Sequence, residues 1–376
     1  PKGAPWVTAQ TEGDGEFRRG MAPRRSDELS FSLLYESTTM TKYLQLLAFG
    51  RARRQKSFLN HLHRFAFSVL LALGATHAQA RELTAPLGHS LLPHPSAIKV
   101  GYHPIAGLKD LRTAEDARVQ QAFVASLKKL ELDRAVQEGR LAAALVDITD
   151  PAHPRMAQVN GDRMMYAASL PKIAILLGAF QKAAENKLTL DDAAIAELEQ
   201  MIRYSSNTAA SGMLQRVGMV YLATVLQSER YRLYDPALNG GLWVGKPYGA
   251  GAAGQRDPLH NLSHGATAYQ VARFYYLMET GQLVSPEASR KMKEIMGSPA
   301  IHHKFVKGLE QTHPDAQVYR KSGTWRSFHA DSAIVERGGR RYIAVGLADD
   351  PKGGDWMKEL IVAMDDIVFS SETPAF

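Results

Sequence analysis

The 376-residue chain contains no cysteine. This absence excludes a disulfide framework, a thiol nucleophile, thiolate zinc sites and cysteine-ligated clusters. Hydrophobic residues make up 45% of the chain and charged residues 22%. That balance is typical of a globular protein with a substantial buried core, and the length favours one large domain or two ordinary ones.

Acidic residues are absent from 37 to 81, and the excess positive charge lies mostly in the first 80 residues. The net charge is +7 and the pI about 9.4, which by themselves would suggest a nucleic-acid partner. Residues 1–80, however, carry 11 Lys/Arg against 6 Asp/Glu, so that the remainder of the chain has a net charge of only +2. A folded region this close to neutral gives no electrostatic reason to expect nucleic-acid binding.

Residues 40–80 have the three parts of a secretory signal peptide. Six basic and no acidic residues occur in this segment, an apolar run covers Phe65 to Ala75, and a small-x-small site lies at Ala78 to Ala80. The run is shorter than the roughly 20 apolar residues of a membrane span, and a buried core helix is the alternative. We therefore expect no stable membrane span, cleavage near Ala80, and a periplasmic or extracellular protein. Residues 1–39 are interpreted as a disordered or non-native upstream segment.

Beyond the signal peptide, the hydrophobic pattern predicts an irregular arm at 81–112 and a folded domain at 113–369. The predicted elements are a helix at 116–138, strands at 140–148 and 156–160, a mostly helical stretch at 170–283 interrupted by a long loop at 231–264, strands at 316–321, 328–336 and 341–348, and a helix at 356–369. Strands at both ends with helices between them indicate an α/β (α+β) fold with an antiparallel sheet flanked by helices. The sheet part would comprise 113–168 and 290–369, and the mostly helical part 169–289.

The strongest local motif is the tetrapeptide Ser169 to Lys172 at the start of an apolar helix. Residues three apart share a helix face, so the two side chains should lie side by side. A serine at a helix start is placed where an incipient anion is favoured, and a lysine on an apolar helix is desolvated towards its neutral form. This is a route to an activated serine without histidine, although a capping serine followed by a solvent-reaching lysine would give the same tetrapeptide.

Two further motifs follow in order: Ser205-Ser206-Asn207 after a predicted helix, and Lys321-Ser322-Gly323-Thr324 at the end of a predicted strand. Together, the three motifs resemble the active-site triplet of serine β-lactamases and penicillin-binding proteins. The resemblance implies that Ser169 is the nucleophile and Lys172 its base, that Ser205 relays a proton, and that Asn207 binds a substrate amide. It also implies that Lys321 and Ser322 hold a substrate carboxylate, and that the backbone N–H groups of Ser169 and Thr324, beside Gly323, form an oxyanion hole.

A fourth segment is similar to the omega loop of class A β-lactamases. Asp235 to Asn239 reads Asp-Pro-Ala-Leu-Asn where those enzymes carry Glu-x-x-Leu-Asn. The resemblance, which runs from about residue 113 to 369, implies that Asp235 and Asn239 hold the water that hydrolyses the acyl-enzyme. Here the carboxylate is one methylene shorter, the Ser169–Ser205 interval of 36 residues is short for the class, and 240–254 resembles an insertion.

We therefore expect an exported class A β-lactamase-like serine hydrolase that acts on a small-molecule β-lactam, without a cofactor or metal and as a monomer. One alternative is a carboxypeptidase or transpeptidase acting on D-Ala-D-Ala-type peptidoglycan ends, which shares the acylation step. The other is a binding or sensor protein that is acylated once without turnover. The shorter carboxylate of Asp235 is the feature that favours the sensor.

Other residues with chemical potential are weaker candidates. Gly249 to Gly254 matches Gly-x-Gly-x-x-Gly, but neither a strand precedes it nor a helix follows it, as dinucleotide binding would require. His329 and Asp331 alternate on a strand and are interpreted as ordinary residues that could still touch substrate. His302 and His303 have no second pair at metal-site spacing. Trp325, beside the third motif, is expected either at the rim of the site or in the core.

Overall fold

A computed structural model of the protein describes residues 109–370. The predicted upstream segment, the signal peptide and most of the irregular arm lie outside these residues. The described part contains helices α1 (Ala117–Lys129), α2 (Asp133–Gln137), α3 (Lys172–Ala184), α4 (Asp192–Arg203), α5 (Asn207–Val217), α6 (Met219–Gln227), α7 (Ala268–Glu279), α8 (Pro286–Met296), α9 (Phe305–Thr312) and α10 (Gly353–Ser370). Its strands are β1 (Leu141–Asp147), β2 (Arg155–Val159), β3 (Met165–Tyr166), β4 (Tyr234–Asp235), β5 (Gly240–Gly241), β6 (Trp243–Val244), β7 (His264–Ala266), β8 (Gln317–Trp325), β9 (Phe328–Arg337) and β10 (Arg340–Asp349).

The main sheet joins strands from both ends of the described chain in the order β2-β1-β10-β9-β8. All its pairings are antiparallel, with β1 beside β10 in the register Leu141↔Ala348. Every residue of β1 is buried, because helices cover both faces of the sheet at this strand. The predicted fold class, an antiparallel sheet flanked by helices with a mostly helical part inserted, is confirmed.

Two predicted elements have different bounds in the structure. The single helix expected at 116–138 is broken into α1 and α2 because Glu131 adopts a left-handed backbone, with φ of 58°. The strand expected to end with the Lys-Ser-Gly motif continues to Trp325. The motif therefore lies within β8, so the sheet fixes its backbone direction on both sides.

Helix α3 is buried along most of its length. Its residues from Lys172 to Phe180 are all inaccessible to solvent or nearly so, and it packs against α5 and α6. Pro171 occupies the position before the first helical residue, where a missing N–H costs the helix nothing. A helix that is hydrophobic on all sides is expected where it is buried on all sides, as α3 is here.

The long loop at 231–264 contains short strands that tie it to the start of α3. Strand β4 pairs with β5, and β7 pairs with both β3 and β6. Next to the pairing of β7 with β3, the carbonyl of His264 accepts a hydrogen bond from the N–H of Ala167 (3.0 Å), two residues before Ser169. The loop is thus held against the region that the sequence marks as catalytic.

Within residues 109–370, no single helix is long and apolar enough to cross a membrane. Helices α5 and α6 together reach that length and composition, but the chain bends by 78° between them.

Candidate active site

Ser169 lines a cleft of about 700 Å³, which we call the Ser169 cleft. It precedes α3 in a turn in which the N–H of Leu170 bonds to the carbonyl of Ala167 (3.0 Å). The preceding residue, Ala168, has a left-handed backbone with φ of 50°. Such a conformation is costly for a residue with a Cβ and is commonly found where function requires it. The lining residues of the cleft are Tyr166, Ala168, Ser169, Asn207, Lys246, Tyr248, Gly249, Ala250, Arg256, Leu262, Ser263, His264, Thr324, Trp325 and Phe328.

The side chain of Lys172 is fully buried at the first turn of α3. Its Nζ donates to the Ser205 carbonyl oxygen (2.6 Å) and to Asn207 Oδ1 (2.9 Å), with Ser205 Oγ at 3.4 Å. It forms no ion pair with any of the described residues. Burial lowers the pKa of Lys172 to about 7. At physiological pH the side chain is therefore a neutral amine in a large fraction of the molecules.

Ser205 lies between two lysines. Its Oγ accepts a hydrogen bond from Lys321 Nζ at 2.9 Å, opposite the longer contact with Lys172. Because Lys321 donates this hydrogen bond, the hydroxyl proton of Ser205 can be donated to another group. Ser205 also has a left-handed backbone, with φ of 57°, and Ser206 caps α5 through a hydrogen bond from the N–H of Ala209.

Strand β8 brings the third motif against the start of α3. A Cβ on Gly323 would lie 2.2 Å from the carbonyl oxygen of Ala167 and 2.7 Å from the backbone nitrogen of Ser169, so only glycine permits this approach. Lys321 is buried, and its Nζ also donates to the Ser322 carbonyl (2.8 Å). Burial lowers the pKa of Lys321 well below its usual range. Thr324 follows, exposed in the Ser169 cleft.

A third buried lysine, Lys304, which the sequence analysis did not single out, forms hydrogen bonds with β8. Lys304 Nζ donates to the Gly323 carbonyl (2.6 Å), to Thr324 Oγ1 (2.8 Å) and to the Ala330 carbonyl (3.1 Å). Since the ammonium donates to Thr324 Oγ1, the threonine hydroxyl keeps its own proton for another acceptor. Burial lowers the pKa of Lys304 to about 8. No local motif marks this residue, which is 17 positions away from Lys321.

The structure does not bring Asp235 and Asn239 to the Ser169 cleft. The Asp235 carboxylate is bound by Arg232 (2.6 Å) and by the N–H of Ala237 (2.9 Å), where it caps a short 3-10 turn. Asn239 donates to the Asp162 carbonyl (2.8 Å) and contacts His260. The role in deacylation that the class A resemblance implies for these two residues therefore finds no support in their contacts.

We expect Asp235→Ala to affect stability and not turnover. Loss of the cap and of a partly exposed ion pair should cost about 1–2 kcal/mol, lowering Tm by several degrees in a thermal melt. The rate at which an acyl-enzyme decays, followed by intact mass, should stay within a factor of two of the wild-type rate. Arg232→Gln, which removes the ion pair but keeps the cap, is the control. A tenfold slower decay in Asp235→Ala alone would show that this carboxylate does reach the acyl group.

The long loop supplies side chains to the cleft that the sequence motifs did not identify. Tyr248 and His264 stack, with ring centroids 4.2 Å apart, and Tyr248 lies 4.6 Å from Lys172 Nζ. Lys246 and Arg256 line the same cleft, whose described lining includes no Asp or Glu. The length and composition of the loop suggested a functional role, but no motif indicated which of its residues would matter.

An aromatic cluster forms the opposite wall. Tyr166 lies 5.3 Å from both Trp325 and Phe328, measured between ring centroids, and Trp325 is 45% exposed. Of the two positions expected for Trp325, the structure therefore favours the rim of the site. The wall offers an apolar surface next to the third motif.

The weaker candidates have structural contacts. Asp331 is fully buried and binds Arg320 at 2.7 Å, so it does not touch the cleft. In the part of the chain that the structure describes, the one acid–histidine group with metal-site dimensions comprises His313, Asp365 and Asp366. The carboxylate of Asp365 is already bound by Arg337 and Tyr342, which makes it a poor metal ligand.

Comparison with known proteins was made at the level of sequence and of structure. The model of a family described as the β-lactamase enzyme family matches residues 123–197 and 194–369. No curated protein matches the chain. The solved structure of PBP-A is similar over 69% of this chain and 98% of its own, with 18% identity and a TM-score of 0.50.

Two further solved structures resemble the chain to the same extent. A PBP-A mutant, as an acyl-enzyme complex with penicillin G, is 19% identical over 69% of this chain and 98% of its own, with a TM-score of 0.52. A β-lactamase from Sphaerobacter thermophilus is 17% identical over 69% and 99%, with a TM-score of 0.51. At such identities these structures establish the shared fold.

Proposed function

Because the chain belongs to the β-lactamase enzyme family, we propose that it is a serine hydrolase whose Ser169 attacks the cyclic amide of a β-lactam and becomes acylated. The observation that carries the proposal is the hydrogen-bonded arrangement of Lys172, Ser205 and Lys321, in which the backbone N–H of Lys172 also donates to the Ser169 carbonyl (3.3 Å). It joins a poorly solvated amine to a hydroxyl that can donate a proton, without a histidine among the described residues that bond to them.

Acylation then proceeds as a nucleophilic substitution. The Ser169 hydroxyl loses its proton to the neutral amine of Lys172 while Oγ forms a bond to the amide carbon. The resulting oxyanion is stabilised by the N–H groups of Ser169 and Thr324, which the close contact of Gly323 with the start of α3 keeps together. As the C–N bond breaks, the amide nitrogen receives the Ser205 proton, which the proton held by Lys172 replaces.

Positive charge at the Ser169 cleft would favour an anionic substrate. Lys321 and Ser322, with the Thr324 hydroxyl that Lys304 orients, would bind the substrate carboxylate. Lys246 and Arg256 at the cleft add positive charge. Asn207, whose Oδ1 is bonded to Lys172, can offer its amide N–H group to the substrate.

Deacylation distinguishes a β-lactamase from its relatives. Among residues 109–370, no carboxylate bonds to Lys172 or lines the Ser169 cleft. This favours a second candidate function, in which the acyl-enzyme reacts slowly with water and the physiological substrate is a D-Ala-D-Ala-type peptidoglycan peptide. For either function we propose export to the periplasm or the cell exterior, in keeping with the signal peptide predicted at 40–80.

The deciding experiment follows the intact mass of the protein during incubation with penicillin G. We expect a covalent adduct on the wild-type protein and none on Ser169→Ala, because only Ser169 can be acylated. Rapid decay of the adduct with loss of drug would identify a β-lactamase. A lasting adduct would identify a penicillin-binding enzyme or sensor, and absence of any adduct would refute the proposed acylation.

A further inference from the structure

Lys172 is covered by an aromatic side chain from the long loop. The ring centroid of Tyr248 lies 4.6 Å from Lys172 Nζ, and the ring of His264 stacks on Tyr248 at a tilt of 34°. The hydroxyl of Tyr248 is buried and has no hydrogen-bond partner among the described residues. The contact of Tyr248 with the site is therefore made by its ring.

The backbone of Tyr248 is fixed in this place from two sides. Its N–H donates to Ser211 Oγ, and its carbonyl accepts from the same hydroxyl, both at 3.0 Å. Lys246 Nζ closes the turn by donating to the carbonyls of Gly249 and Gly251, both at 2.8 Å. Ser211 belongs to α5, which begins at Asn207, the last residue of the second motif. The backbone of Tyr248 is therefore attached to the helix that follows this motif.

We propose that Tyr248 is a positioning residue that keeps water from the Lys172 amine and so favours its neutral, proton-accepting form. The inference rests on the proposed function only for the role it gives to Lys172 in accepting the Ser169 proton. Water would stabilise the ammonium form by solvation, whereas a ring face replaces most of that solvation by a weaker attraction. The neutral amine loses less on burial and is favoured.

The titratable groups nearest to Lys172 are Lys321, His264 and Tyr248. Lys321, reached through Ser205 Oγ, is the nearest amine along the hydrogen bonds, and burial lowers its pKa well below the usual range. Burial lowers the pKa of His264 to about 4, so this histidine carries no charge near neutral pH. Tyr248 stays a neutral phenol, because burial raises its pKa. The lowered pKa of Lys172 itself comes from burial.

The test compares Tyr248→Ala with Tyr248→Phe in the full-length protein. The rate constant for formation of the penicillin G adduct is measured from pH 5 to 10 by quenched intact-mass analysis. For Tyr248→Ala, the limb on which the rate rises with pH should move up by about one pH unit or more, so that the rate below pH 7 falls about tenfold. Tyr248→Phe, which keeps the ring, should retain the wild-type limb.

A second measurement needs no β-lactam. The ε-carbon NMR signal of Lys172, assigned with a Lys172→Met variant, should titrate at higher pH in Tyr248→Ala than in the wild-type and Tyr248→Phe proteins. An unchanged titration in a folded Tyr248→Ala protein, or an equal shift in Tyr248→Phe, would overturn the inference. If the wild-type protein forms no adduct but the NMR shift appears, the proposed acylation fails while the role of Tyr248 stands.

Discussion

Lys172→Met should slow the acylation of Ser169 by about 10²- to 10⁴-fold, the range expected when a general base is removed. Methionine has nearly the same length and needs no hydration, so it fits the buried site in α3 without the cost of desolvating an amine. What is lost is the lone pair that receives the serine proton. The protein should therefore stay folded while the adduct with penicillin G forms very slowly.

The role of Lys172 as base also predicts how the acylation rate depends on pH. Because the pKa of Lys172 is lowered to about 7, the amine is protonated below that pH and cannot accept a proton. The wild-type rate should fall as pH decreases through about 7 and level off above it. The residual rate of Lys172→Met should lose this limb, since no amine titrates at that place.

Lys182→Met is the matched control. Lys182 lies in the same helix, but its Nζ donates to the carbonyls of Arg216 (2.8 Å) and Val217 (2.9 Å), away from the Ser169 cleft. The Lys182→Met protein should be acylated at the wild-type rate. The assignment of Lys172 as base would be wrong if both variants formed the adduct at that rate, with circular dichroism confirming that both are folded.

Gly323→Ala should reduce acylation by about 10²-fold or more. The new Cβ would lie 2.2 Å from the Ala167 carbonyl oxygen and 2.7 Å from the Ser169 nitrogen, distances that real Cβ atoms do not adopt. Both obstructing atoms belong to the backbone, so β8 and the start of α3 must separate. A displacement of about 1 Å at a catalytic site costs on the order of 10² in rate, and here it would move the two oxyanion donors apart.

Gly254→Ala is the control for this substitution, because a Cβ there meets nothing within 4 Å. Adduct formation is measured for both variants, together with their Tm. We expect Gly323→Ala to lose rate far beyond its loss of stability, since the strand can shift without unfolding. If Gly323→Ala were acylated at the wild-type rate, the Ser169 and Thr324 N–H groups would not act together.

Much of the architecture could be predicted from the sequence because the signals are local. Period-two hydrophobicity located the strands at 328–336 and 341–348, and the apolar run after Pro171 located a buried helix. The break at Glu131 was missed, since nothing in the amphipathic pattern of 116–138 marks a left-handed residue. The end of β8 was placed too early, because the motif itself resembles the close of a strand.

The residues of the candidate site could likewise be predicted only in part. Three short motifs identify Ser169, Lys172, Ser205, Asn207 and the segment Lys321 to Thr324. Ser169, Asn207 and Thr324 line one cleft, and hydrogen bonds join Lys172, Ser205 and Lys321 to one another. Their catalytic roles remain predictions that the experiments above address. Asp235 was chosen by its likeness to a loop motif, yet its carboxylate is engaged by Arg232.

The sequence by itself determined the residue types that can perform acyl transfer and their order along the chain, because each motif lies within a few consecutive positions. Only the tertiary structure decided which groups surround them. Tyr248 and Lys304 are 76 and 17 positions away from Lys172 and Lys321, and no periodicity or motif links such pairs. Their influence depends on burial and on the distance between side chains, which arise only when the long loop and α9 pack against the catalytic motifs.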